Sequence, residues 1–445
     1  MDRRDFLKLA GITGLAVGGP ALARAFAEGF DSPEPTDDPS YAIDGPTGLF
    51  FVQIQATGGW EPTMLCDPKP DLNGLYDAAD VNTVNGVSFP VFPGGGGEQW
   101  QYFFEGGTDP NTGRTYNGNA GRMTVFNGVD IQTNSHDAGR RHMASGHLTE
   151  GDPALPALIA GFTAPHLPMA FLTFGGYEMT EGTVAPTRDL DRNRLSGISY
   201  PARIDPTNAG GGTYNSPTAD GVIKLARNAR LQRQMGLTAL PKRKSAMDTL
   251  MTSRLGSDQL KRLEELLDAN IAGGDEGRIQ LAIAAYRAGI GTSVNLSRGG
   301  FDTHGNHDQN HSNSMSNLLE LINTVWFHVD QAGIAQDTVM CITSDFGRSP
   351  NYNGNMGKDH WPVSSMIVVT EKAQGGRTVG TSDDGHRPIG VNPNNLNPDE
   401  ENGTRITPTH VHRAIRDLVG MAGTELDTMF PMVPETPIND LLIPA

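Results

Sequence analysis

Residues 338–348 read TVMCITSDFGR, and the reading of this stretch decides the fold. Thr338 to Thr343 is a short apolar run with β-branched residues, as expected of a strand buried on both faces. Ser344, Asp345, Phe346, Gly347 and Arg348 end it with a carboxylate and a glycine. Working outward, the pattern returns. Leu49 to Ala56 (LFFVQIQA) reads as a strand that runs into Gly58-Gly59-Trp60-Glu61, and Thr292 to Leu296 reads as one that runs into Gly299-Gly300-Phe301-Asp302-Thr303-His304. Met169 to Phe174 and Ser365 to Thr370 complete the set, the last preceded by Lys358-Asp359-His360-Trp361.

Between the strands, apolar residues recur at three- and four-residue spacing over Ala219 to Met235, Lys242 to Ala272, Asp275 to Ile290, Asn313 to Ala332 and Thr409 to Met421, the spacing of helices. Strands separated by helices predict the α/β class, with a doubly wound, mostly parallel sheet flanked by helices. Asp67 to Asp130 and Thr180 to Pro217 are rich in Gly, Asn and Pro and are expected as long loop insertions, which in a compact domain tend to be functional.

The amino terminus, MDRRDFLKLAGITGLAVGGPALARAFA, orders a basic pair at Arg3 and Arg4, an apolar region and small residues suited to cleavage after Ala27. That order predicts a twin-arginine signal peptide over residues 1–27, hence a periplasmic or secreted protein that meets the twin-arginine translocase during export. Glu28 to Pro46, rich in Pro, Asp, Ser and Glu, reads as a flexible linker (residues 28–46), and a single domain is expected over residues 47–445. No second apolar run is long enough to span a bilayer, and no cysteine stands at the cleavage site, so no stable membrane anchor is expected. With 34 Lys and Arg against 51 Asp and Glu, the net charge of -17 excludes nucleic acid as a partner. Cys66 and Cys341 are the two cysteines, and their pairing is left open by the sequence.

Ligands of open α/β sheets bind beyond the carboxyl ends of the strands. Glu61, Asp302 and Asp345 each follow a strand, and His304 and His360 stand in the same loops. Hard oxygen donors completed by imidazole nitrogens suit a divalent cation such as Zn, Mn or Ca. His307 and His311 continue the series, either as further ligands or as part of a polar helix start. Ser135, in Thr133-Asn134-Ser135-His136-Asp137, is placed to begin a helix, where free backbone N–H groups favour an anionic substrate and an activated oxygen.

The motifs TGGWE, GGFDTHGNHDQ, TSDFGR and KDHWP, with the twin-arginine start, resemble the bacterial family called domain of unknown function 1501, itself similar to the alkaline phosphatase and sulfatase superfamily. The resemblance implies an alkaline phosphatase-like fold and an exported metal-dependent hydrolase of a phosphate or sulfate ester. It implies one or two ions held by Glu61, Asp302, His304, Asp345 and His360, Ser135 as nucleophile, and Arg348 or Arg140 on a non-bridging oxygen. Three positions depart from the superfamily pattern: Glu61 stands where Asp is usual, Phe346 where phosphatases place a histidine, and the Asp302 to His304 spacing is short, so that His304, Asn306 or His307 is the residue facing the site. Cys66-Asp67-Pro68-Lys69 matches the sulfatase CxPxR motif poorly. The alternative reading is a non-catalytic exported protein that uses the same fold to bind a polysaccharide or to assemble at the cell surface.

Overall fold

Phe50–Ala56 (β1) is buried along its whole length, because it lies in the middle of a sheet with both faces covered. In the computed structural model the described residues are 46–443, except 71, 73, 92–96, 201, 209, 241–242, 245–246, 248–259, 262, 264–266 and 268–270. The expected signal peptide, the linker as far as residue 45 and much of the helix expected over Lys242 to Ala272 lie outside them. The chain divides into a larger compact unit of Asp44–Ser199 with Thr252–Ala445, and a smaller one that includes Tyr200–Met251. In the smaller unit the helix Pro217–Leu237 begins at a Ser216 side-chain cap, and the helix expected over Ala219 to Met235 falls within it.

In the larger unit, the remaining strands of the main sheet are Met123–Asp130 (β2), Phe171–Phe174 (β3), Pro186–Arg188 (β4), Ser293–Arg298 (β5), Thr338–Ser344 (β6), Val363–Thr370 (β7) and Arg377–Val379 (β8). Their spatial order is β8-β2-β7-β6-β1-β5-β3-β4. β1 pairs in parallel with β6 from Phe50↔Thr338 to Ala56↔Ser344, and with β5 on its other side. Within this sheet β7 alone runs against the rest, antiparallel to both β6 and β2.

That reversal matters for the site. It brings the beginning of β7 to the rim where the other strands end, since Val363 pairs with Asp130. His360 and Trp361, which precede β7, therefore stand at the same rim as the residues that follow β1, β5 and β6.

Helices cover both faces, as a doubly wound sheet requires. Met143 of His136–Ser145 (α1), Leu155, Leu158 and Ile159 of Leu155–Thr163 (α2), and Val411 and Ile415 of Pro408–Leu418 (α3) pack with Phe51, Phe126, Val339 and Val368. On the other face, Val52, Val294 and Leu296 meet Ile279, Ala282 and Ile283 of Gly274–Arg287 (α4) and Val325 of His307–Ala332 (α5). Burying each such side chain contributes about 1.5–3 kcal/mol. The helix expected from Asn313 begins six residues earlier, at His307.

Two expectations need correction. The stretch Asp67 to Asp130 is not all loop, because its last eight residues are β2 in the interior of the sheet. Asn127-Gly128 forms a bulge within β2: the register slips between Ser364 and Met366, and Gly128 has φ +64 with Thr381 O where a Cβ would stand. Thr180 to Pro217 likewise contains β4 and the helix Arg192–Ser199. Cys66 and Cys341 are both buried and free. Among the described residues no helix is long and apolar enough to cross a membrane.

Two buried histidines join α1 to its surroundings. His142 Nδ1 lies 2.9 Å from Ile131 O, and His412 Nε2 lies 3.1 Å from Met143 O. Burial pushes their imidazoles down to about 4 and about 3. In the unfolded chain an imidazole titrates near about 6.5, so between that pH and about 4 the unfolded state binds more protons and stability falls as the pH falls. Differences of this size are worth on the order of 3 kcal/mol each. The unfolding midpoint should drop steeply from pH 6.5 to 4 in a thermal scan series, and a flat profile over that range would show that these imidazoles do not stay neutral.

Candidate metal centre

β1 runs out through Gly58 and Gly59, with φ +118 and +86. A Cβ on Gly58 would lie 2.4 Å from Asp302 N, and one on Gly59 would lie 2.5 Å from the Phe346 ring. Only glycine lets the exit of β1 pass this close to the loops that follow β5 and β6. Arg348, fully buried, ties the three together: Nε donates to Gly59 O at 2.8 Å, Nη1 to Lys358 O at 3.0 Å, and Nη2 to Gly58 O and, at 2.8 Å, to Asp302 Oδ1. Its donors are engaged inside the protein. Arg140, 3.8 Å from Asp345 Oδ1, is the more exposed of the two arginines singled out from the sequence.

Around Asp302 three imidazoles converge. His304 Nε2 and His360 Nε2 are 3.0 Å apart, and each is 3.1 Å from Asp302 Oδ1. His136 Nε2 approaches Asp302 Oδ2 at 3.6 Å. Ligand atoms of His136, Asp302 and His360 all lie within 4.8 Å of one another. The opposite nitrogen of each ring faces an acceptor: His304 Nδ1 meets Asp359 Oδ1, His360 Nδ1 meets Asn134 O and His136 Nδ1 meets Asp345 Oδ2, each at 2.9 Å. Assigning the ring proton to Nδ1 satisfies all three contacts and leaves three Nε2 lone pairs directed at a carboxylate. Lone pairs gathered in this way repel one another unless a cation lies among them, and ligating histidines characteristically carry such outer acceptors. The donor set therefore fits a divalent cation with nitrogen and oxygen ligands.

The electrostatics agree. Burial acts to raise the Asp302 carboxyl, but opposing effects, chief among them the hydrogen bond and charge of Arg348, outweigh it and hold the group down at about 2. Asp345 is fully buried, and its Oδ2 also accepts from Gly58 N at 2.9 Å. It faces His136 and so stands as an outer partner of that ring. Phe346 lies beneath His136 and His360, with ring centroids 4.7 and 4.3 Å away, and forms an apolar floor where the superfamily pattern has a histidine.

Glu61 is placed apart from this group. It is fully buried, with Lys358 Nζ at 2.9 Å from Oε2 and Thr63 Oγ1 at 2.7 Å from Oε1. Burial works to raise its carboxyl, and the charges of Lys358, His386 and His307 with the Thr63 hydrogen bond bring it below the ordinary value. His307 and His311 point into this second cluster, not toward Asp302: His311 Nε2 accepts from Glu61 N at 2.8 Å, and His307 Nε2 is 3.7 Å from Glu61 Oε2.

Of the residues singled out from the sequence, Asp302, His304 and His360 come together, Asp345 supports them from below, Glu61 pairs with Lys358, and Arg348 is internal. Ser135 is exposed at the N-cap of α1, between Asn134, which holds His360, and His136. Its hydroxyl does not cap the helix. His136 is the residue that sequence reasoning missed. Its signal was the strand before it: once Met123–Asp130 is read as β2, the strand-end rule puts His136 at the rim.

Over residues 231–406 the chain matches the model of a family described as Protein of unknown function (DUF1501), so the resemblance carried by GGFDTHGNHDQ, TSDFGR and KDHWP is shown there. No curated protein matches the chain. Among solved structures it is similar to Ps i-CgsB in complex with k-i-k-neocarrahexaose (9% identity, TM-score 0.37, covering 86% of this chain and 73% of that one). It is similar to the PsFucS1 sulfatase from Pseudoalteromonas sp. (10% identity, TM-score 0.34, 85% and 68%). A third is the TAB5 alkaline phosphatase with Mg bound (10% identity, TM-score 0.31, 85% and 99%).

Proposed function

For a chain that resembles this family, we propose an exported, metal-dependent hydrolase of a phosphate or sulfate ester, with one divalent cation held by His136, Asp302, His304 and His360. The convergence of three Nε2 atoms on Asp302 carries the reading. One ion is proposed, because Lys358 already balances Glu61 within the interior. A cation held at Asp302 would polarise a non-bridging oxygen of the ester.

The chain's own residues supply the rest. Ser135, one residue from His136, is the proposed nucleophile: its Oγ forms the new bond to phosphorus or sulfur as the bond to the ester oxygen breaks, its proton passes to that departing oxygen to give the alcohol, and water then hydrolyses the serine ester. The N-terminus of α1 and Arg140 favour the anionic group. Asp302 and His304 are about half exposed, which admits a bulky ester or a polysaccharide carrying one. Arg3-Arg4 and the apolar region after them support delivery through the twin-arginine translocase to the periplasm or beyond.

A cation-dependent polysaccharide-binding role is the second reading, favoured by a Ser135 Oγ that is exposed, makes no cap hydrogen bond and, among the described residues, has no base in hydrogen-bond contact. Assay of the mature protein with Zn, Mn or Ca against phosphate and sulfate esters separates the two. Turnover that falls at least about 100-fold in Ser135→Ala supports the hydrolase. Equal rates in the variant would remove Ser135 as the nucleophile, and cation binding with no turnover on any ester would leave only the binding role.

A further inference from the structure

Thr303 stands between Asp302 and His304, and its side chain faces away from the cation site into the Glu61 cluster. Its Oγ1 lies 2.7 Å from His307 Nδ1 and 3.0 Å from His311 Nδ1. Both rings are fully buried on the first turns of α5 and stack 4.4 Å apart. The protons in this cluster can be traced from one fixed donor. Glu61 N–H donates to His311 Nε2 at 2.8 Å, so that nitrogen bears no proton. Burial holds His311 well below the usual imidazole range, and in the neutral ring the proton must then sit on Nδ1 and point at Thr303 Oγ1. The hydroxyl proton has two acceptors, Phe301 O at 3.4 Å and His307 Nδ1 at 2.7 Å, and on the shorter contact the remaining ring proton of His307 sits on Nε2, facing Glu61 Oε2 at 3.7 Å. Among the described residues His307 Nε2 has no hydrogen-bond partner, and its proton faces the Glu61 carboxylate.

We infer that Thr303 is a positioning residue: the ring from the Glu61 amide through His311, Thr303 and His307 back to the Glu61 carboxylate fixes the Asp302-Thr303-His304 segment in the geometry a cation needs. The inference rests on the cation reading above. The backbone of the segment is held as well, since Lys358 N donates to Thr303 O at 3.1 Å, which links it to the strand entry that carries His360. What the hydroxyl adds is direction. A threonine held from two sides holds the backbone that carries Asp302 and His304, and misplaced ligands weaken a metal as the loss of an outer contact does, by about 10-fold or more.

The test is a titration of the metal-free mature protein with Co²⁺, read by visible absorption and equilibrium dialysis. Thr303→Val keeps shape and removes the hydroxyl; Thr303→Ser keeps the hydroxyl. The expected result is wild-type affinity and spectrum for the serine variant, and binding at least about 10-fold weaker with an altered spectrum for the valine variant. A valine variant that binds as the wild type does overturns the inference while leaving the cation site intact. A wild-type protein that takes up no Co²⁺ overturns the cation reading, and this inference with it. Should Thr303→Val fail to fold by circular dichroism, His311→Gln breaks the ring elsewhere and is held to the same expectation in the same titration.

Discussion

Glu61→Gln should lower the stability of the protein by about 3–5 kcal/mol, the cost of leaving one partner of a buried ion pair uncompensated. Both members are fully buried: Glu61 Oε2 and Lys358 Nζ, 2.9 Å apart, have no route to solvent that would soften the loss. The glutamine keeps an acceptor for Thr63 but cannot balance the ammonium. Removing both charges in Glu61→Gln with Lys358→Met should restore most of the stability, because the pair's attraction is largely offset by its desolvation. Denaturation midpoints of the two single variants and the double variant check this as a cycle. Since Glu61 lies apart from Asp302, the glutamine variant should still bind one cation per chain. Its affinity should fall only as far as the ring through Thr303 depends on the Glu61 carboxylate, and an ion seated on residue 61 itself in the wild-type protein would make Glu61 a ligand.

His360→Ala and Asp302→Asn should each weaken cation binding by more than the 10–100-fold that loss of an outer contact brings, because each removes an atom from the convergence itself. Asp302→Asn has a further effect. Arg348 would then face a neutral amide where it now meets Oδ1 at 2.8 Å, so some stability should be lost with the affinity. His360→Ala carries no such burden and is the cleaner of the two. Calorimetric titration with Zn²⁺ measures both, and a His360→Ala protein with unchanged affinity would remove that ring from the site.

The strands were legible where their chemistry is local. LFFVQIQA and TVMCITS are apolar runs that only a strand covered on both faces explains, and the carboxylates beyond them were placed at the rim by the direction of a parallel strand. β2 was hidden at the end of a stretch read as loop from its Gly, Asn and Pro content, to which its own Asn127-Gly128 bulge, where Thr381 comes close, adds. The reversal of β7 was not written in Ser365 to Thr370, since a buried strand reads the same in either direction. It took the pairing with β2 and β6 to explain why His360 reaches the rim from the front of its strand.

The site was legible in part for the same reason. Asp302, His304 and His360 were found through their loops, whereas His136 was masked by the serine before it and the unread strand behind it. Glu61 was assigned by its place after β1, but its partner is 297 residues away in sequence. No local pattern shows that a lysine will be buried beside a carboxylate. Arg348 shows the converse: the family resemblance implied a substrate contact, and the close approach of two glycine carbonyls turned its donors inward.

Anomalous diffraction from a Zn-loaded crystal of the mature protein tests the central claim most directly. A single peak within about 2.0–2.2 Å of Asp302 and of the Nε2 atoms of His136, His304 and His360 is the result predicted here. A peak seated instead on Glu61 and His307, or no peak at the Asp302 rim, would contradict it.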